Sequence, residues 1–114
     1  MIEGLNLLVL RCSDIEQCRK FYECFGFKFE KHAHGSGPEH YAAKQGGVLE
    51  LYPATETAPG DQVGLGFGVT DLASAAQQLQ SAGFEPGAVK DQSWGRSFVI
   101  RDPQNRRVEV TLKS

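Results

Sequence analysis

Residues 14–27, DIEQCRKFYECFGF, return in outline 57 positions later as residues 71–84, DLASAAQQLQSAGF. Asp14-Ile15 falls on Asp71-Leu72, and Phe25-Gly26-Phe27 falls on Ala82-Gly83-Phe84. The offset is half of the 114-residue chain, which therefore reads as one small unit written twice. Both copies have the grammar of a helix. Asp14, with Gln17 three residues on, resembles a capping arrangement, and Ile15, Cys18, Phe21, Tyr22 and Phe25 recur at helical spacing until Gly26 stops them. Asp71 opens the second copy, where Leu72, Ala75, Ala76, Leu79 and Ala82 form the apolar stripe that Gly83 ends.

Strands flank each helix. Leu5 to Arg11 is short, apolar and rich in Leu and Val, and Leu65, Phe67 and Val69 alternate in the same place of the second copy. After the helices, Lys28 to His32, His40 to Lys44 and Val48 to Tyr52 read as strands, with Gly46-Gly47 turning between the last two. Glu85 to Lys90, Arg96 to Arg101 and Arg107 to Lys113 answer them, with Asp102-Pro103-Gln104-Asn105 as the final turn. The expectation is an α+β fold of two tandem βαβββ modules in one domain, 1–114. Module one is 1–52, a Pro, Thr, Ala and Gly-rich linker is 53–62, and module two is 63–114. Related halves packed together should leave a groove lined by corresponding positions.

Forty per cent apolar residues, 23 per cent charged residues and a formal charge of −2 describe a soluble globule without a basic run for neutralising phosphates. Nucleic acid is not an expected partner. No apolar segment approaches the roughly 18 residues of a membrane span, and Met1 to Asn6 lacks a basic leader, so a cytoplasmic location is expected. Cys12, Cys18 and Cys24 are odd in number; the last two lie about 9 Å apart along a helix, too far to bridge, and read as reduced thiols.

Val9-Leu10-Arg11-Cys12-Ser13-Asp14, Phe21-Tyr22 and Phe25-Gly26-Phe27 resemble the opening of the vicinal oxygen chelate superfamily, which includes glyoxalase I, extradiol dioxygenases and bleomycin-resistance proteins. Gly47-Val48-Leu49-Glu50-Leu51 resembles the end of a first module. Phe67-Gly68-Val69-Thr70-Asp71 resembles the opening of a second, and Arg101-Asp102-Pro103 with Val108-Glu109-Val110 its last hairpin. The resemblance covers nearly the whole chain and implies a homodimer with cavities often built across the subunit interface.

It also implies where a metal would be held: by one residue early in each module, often His, and one near each module's end, often Glu. Glu50 and Glu109 occupy the late positions, 59 residues apart. The early positions fall on Leu7 and Gly64, which have no donor atoms. Zn²⁺ and Ni²⁺ favour imidazole or thiolate, so no catalytic metal and no other cofactor are expected, although Mg²⁺ with added waters is a weak option. His32-Ala33-His34 has the alternation that puts two imidazoles on one side of a strand, but the following Gly35-Ser36-Gly37-Pro38 suggests a solvent-facing hairpin tip. His40 begins a strand and is assigned a surface or hydrogen-bonding role.

Without a metal, Glu50 and Glu109 would repel each other in an apolar groove, and a cation would relieve them. It could be Arg96, Arg101 or Arg107, or part of a ligand; a register off by one would instead turn either Glu outward. Trp94-Gly95-Arg96 resembles a segment bordering the drug groove of bleomycin-resistance proteins. Trp94 could stack on a flat ligand, close the core or sit in a dimer interface. Phe67 and Phe98 are expected in the core.

These readings favour a metal-free binding protein that sequesters an aromatic or cationic small molecule, with Leu7, Glu50, Gly64, Trp94, Arg96 and Glu109 as ligand-binding candidates and a connection to antibiotic resistance. No catalytic residue is assigned. The alternatives are a glyoxalase-type lyase or isomerase or a dioxygenase with a degenerate metal site, in which a Glu moves a proton, or an accessory module that binds nothing.

Overall fold

The structure, a computed structural model, describes residues 1–54 and 63–113. Its elements run β1 (Leu7–Cys12), α1 (Ile15–Glu23), β2 (Glu30–His32), β3 (His40–Lys44), β4 (Val48–Pro53), β5 (Leu65–Val69), α2 (Leu72–Ser81), β6 (Lys90–Gln92), β7 (Gly95–Arg101) and β8 (Arg107–Leu112). They form two compact units, Met1–Ala58 and Pro59–Ser114. The expected linker lies outside the described residues from 55 onward. Pro53 closes β4, and the Ala54 N–H donates to the Cys12 carbonyl at 2.8 Å.

In the first unit the sheet order is β1-β4-β3-β2; in the second it is β5-β8-β7-β6. β1 runs parallel to β4 and β5 parallel to β8, while the other neighbours are antiparallel. The two βαβββ modules read from the sequence are therefore present, each an α+β unit.

The repeated Asp has a mechanical job. Asp14 Oδ1 accepts the Gln17 N–H at 3.1 Å, and Asp71 Oδ1 accepts the Ser74 N–H at 3.0 Å, so each satisfies a helix donor that has no partner within the helix. The repeated glycines end the helices, because Gly26 and Gly83 take φ of 96° and 92°, a left-handed backbone that a Cβ would strain.

Module one packs Cys18, Phe21 and Tyr22 of α1 against Leu10, Cys12, Ala43, Leu49 and Leu51. Phe21 and Tyr22 meet edge to face with ring centroids 4.9 Å apart. Module two buries Leu72, Ala75 and Leu79 of α2 with Phe98, Ile100, Val108 and Val110. At about 1.5–3 kcal/mol for each large apolar side chain removed from water, these layers are the main drive for folding. Phe98 is core as expected, Phe67 is half-buried, and all three cysteines are free thiols.

Two strands are shorter than the sequence suggests. The stretch Lys28 to His32 pairs only from Glu30, and Glu85 to Lys90 is not a strand until its last residue; β6 is Lys90–Gln92. Pro86 has no N–H for a ladder. The Gly87 N–H reaches the Val99 carbonyl at 2.9 Å, and a Cβ at Gly87 would come within 2.8 Å of that oxygen, so the chain approaches β7 too closely there for ordinary pairing.

Candidate functional site

Each sheet uses one face for its helix. Strand alternation sends the intervening residues to the other face, and register identifies them. In module one, Leu7 lies opposite Val48, Val9 opposite Glu50, and Arg11 opposite Tyr52. Ala42 lies between Glu50 and Glu30, and His40 pairs with His32. Leu7 and Glu50 thus share the helix-free face of module one. In module two, Gly66 lies opposite Glu109 and Gly68 opposite Thr111, with Ser97 and Val99 completing those rows. Gly64 is two residues before Gly66, so the alternation continued back from β5 gives it the same side.

Module one carries a row of stacked side chains, three rings and a guanidinium, that crosses all four strands. The Arg11 guanidinium lies 4.8 Å from the Tyr52 ring centroid, and Tyr52 stacks on His40 at 4.2 Å with only 7° between the planes. His32 is 6.0 Å from His40, and His34 is 5.2 Å from His40 and 6.1 Å from His32. His34 is exposed beside the turn as expected, whereas His32 is half-buried, and both rings join the cluster. His40 is not at the surface, being only 2% exposed. The reason is cross-strand: β2 returns on β3 so that His32 meets His40, and β4 brings Tyr52 to His40's other side.

The two acids have different partners. Glu109 Oε2 is 3.5 Å from Arg107 Nη2, so the internal cation expected near it is Arg107. Glu50 Oε2 instead lies 3.8 Å from His40 Nε2. Both carboxylates are largely covered, with 20% and 23% of their side-chain surface exposed for Glu50 and Glu109. Arg96 is not brought to Glu109. Its alternation matches Phe98 and Ile100, and it pairs with Asp91 at 3.0 Å on the surface. Arg101 Nη1 reaches the Asn105 carbonyl at 3.5 Å.

Where module one has rings, module two has glycine. A cavity of about 380 Å³ is lined by Gly66, Phe67, Gly68, Trp94, Thr111, Leu112 and Lys113. Trp94 sits in the β6–β7 turn and is 60% exposed, which removes it from the core. A Cβ at Gly66 would meet only the Glu109 carbonyl, at 4.0 Å, so the absence of a side chain there leaves space. The aliphatic stem of Lys113 covers Gly68.

A transition metal does not fit this donor set. Leu7 and Gly64 supply no ligand atoms, and Glu109 already faces a guanidinium. Among the described residues, no group of three or more His, Cys, Asp or Glu side chains is placed to hold a metal ion. No step of chemistry is derived through one.

The sequence matches the model of the glyoxalase/bleomycin resistance protein/dioxygenase superfamily over residues 4–110, and the chain belongs to that family. No match was found among curated proteins. Similar solved structures include TnmS3, an antibiotic binding protein from a Streptomyces species, at 24% identity and TM-score 0.76, covering 99% of this chain and 98% of that one. The fosfomycin resistance protein FosX from Mesorhizobium loti is 18% identical with TM-score 0.78, covering 100% and 94%. A lactoylglutathione lyase from Agrobacterium tumefaciens is 20% identical with TM-score 0.69, covering 98% and 95%. At these identities the likeness is one of fold, and the fold serves binding proteins and enzymes alike. Among the described residues no helix is long and apolar enough to cross a membrane.

Proposed function

We propose that this chain is a metal-free binding protein that sequesters a flat, aromatic or cationic small molecule, in the manner of the drug-binding members of its superfamily. One observation carries the reading: an exposed indole, Trp94, borders a cavity whose strand wall is left open at Gly66. A planar ring can lie against glycine backbone and stack on the indole, while Glu109 supplies negative charge on the same sheet face. TnmS3 supports the reading to the extent that its fold accommodates an antibiotic. A cytoplasmic homodimer is part of the proposal; the reduced thiols and the exposed apolar residues Ile2, Leu5 and Leu7 are compatible with it.

Trp94 is the sole Trp, so its fluorescence reports directly on the cavity. Titration with bleomycin-type and other planar cationic drugs should quench it saturably in the wild type, and thermal stability should rise with ligand concentration, by about 2.7 kcal/mol at a hundredfold excess over Kd. The signal should vanish in Glu109→Gln only in part, and stabilisation should be lost in Trp94→Ala. Stoichiometric zinc or nickel in protein purified without added metal would instead favour the lyase or dioxygenase alternative.

A further inference from the structure

His40 is a buried side chain with an unmet need. Its Nδ1 is 3.3 Å from the Pro38 carbonyl oxygen, which can only accept, so in the neutral ring Nδ1 carries the hydrogen and Nε2 presents a lone pair. Nε2 is buried and has no hydrogen-bond partner. Its neighbour at 3.8 Å is Glu50 Oε2, another acceptor. Tyr52 occupies one face of the ring and the other histidines stand within 6.0 Å, which leaves the Nε2 edge as the side on which a new partner can act.

The geometry points to a site on module one for a primary ammonium group. A nitrogen at the ordinary hydrogen-bond distance of about 2.9 Å from both acceptors spans a gap of this size, giving one N–H to His40 Nε2 and one to Glu50. Glu50, one-fifth exposed, is the outer half of the pair. The positive charge satisfies the acid, and the directed hydrogens satisfy the imidazole. The duplicated position works differently, because Glu109 already has Arg107. The site therefore distinguishes cations by their hydrogens: a quaternary ammonium offers the same charge and no donor.

Benzylammonium and benzyltrimethylammonium chlorides make the comparison, read by calorimetry and by the ring nitrogens of ¹⁵N-labelled His40. The wild type should bind benzylammonium about tenfold more tightly, as expected for a hydrogen bond to a charged partner. Binding should move the Nε2 resonance. Glu50→Gln should weaken both ions, while His40→Phe, which keeps a ring against Tyr52, should reduce the preference between them, leaving only what the bond to Glu50 supplies. If that variant does not fold, the ¹⁵N experiment on the wild type decides. Equal affinity for the two ions, or an Nε2 that already carries a hydrogen toward Glu50 in the free protein at neutral pH, overturns the inference. Quenching of Trp94 by planar drugs reads module two, so the proposed function survives that failure and can be lost independently of it.

Discussion

Asp102 and Arg106 form an ion pair inside the protein: Asp102 Oδ2 lies 3.1 Å from Arg106 Nη1, with side chains 0% and 1% exposed. The same carboxylate accepts the Gln104 and Arg106 backbone N–H groups through Oδ1, at 2.9 and 2.8 Å. One aspartate thus ties the turn between β7 and β8, where Asn105 takes a left-handed φ of 67°.

Removing one partner breaks the ion pair and leaves the other charge buried. Asp102→Ala should cost about 3–5 kcal/mol of stability, and Arg106→Met a comparable amount. Urea denaturation measures both. The double variant should fall well short of the sum, since neither charge then remains; additive losses would refute the coupling.

The cavity beside Trp94 depends on an absent side chain. Gly66→Leu should be accepted by the fold, because a Cβ there meets nothing closer than 4.0 Å and leucine suits a strand better than glycine. The leucine would project into the ligand's place. Melting temperature should hold or rise while drug-induced quenching of Trp94 disappears; undiminished quenching would move the site elsewhere.

Tyr41 donates its hydroxyl to Glu16 Oε2 at 2.6 Å, joining β3 to the start of α1. This bond holds the Glu16 carboxyl below its ordinary range, with Arg19 adding to the effect, and holds the Tyr41 phenol above its own. A depressed carboxyl contributes stability that is present above its unfolded titration and is lost as pH falls through the folded one. A raised phenol contributes below its unfolded titration, and that contribution is lost as pH rises through the folded value. Tyr41→Phe should bring Glu16 back toward the ordinary carboxylate range, as followed by carbonyl NMR, and slightly shift acid unfolding to higher pH. Exposure keeps the stability change small. An unchanged Glu16 titration would assign the depression to Arg19 and Lys31.

Much of this architecture could be read residue by residue because its causes are local. An aspartate that accepts the N–H three residues on, and a glycine in a left-handed turn, act within one segment and repeat in the second module. The histidines show the opposite case. Nothing near His40 in sequence announces Tyr52, since their stacking arises from antiparallel pairing of β3 with β4. Arg106 and Arg107 are neighbours in sequence, yet the turn before β8 buries the first against Asp102 and the strand exposes the second beside Glu109.

The order of elements, the duplication and the loss of donors at Leu7 and Gly64 were thus determined by the sequence alone, because spacing and side-chain chemistry are properties of the chain before it folds. Tertiary structure decided which cation meets each acid, which histidine is sealed from water and where Trp94 finds space. Those are matters of register and burial, and they exist only once strands distant in sequence lie side by side.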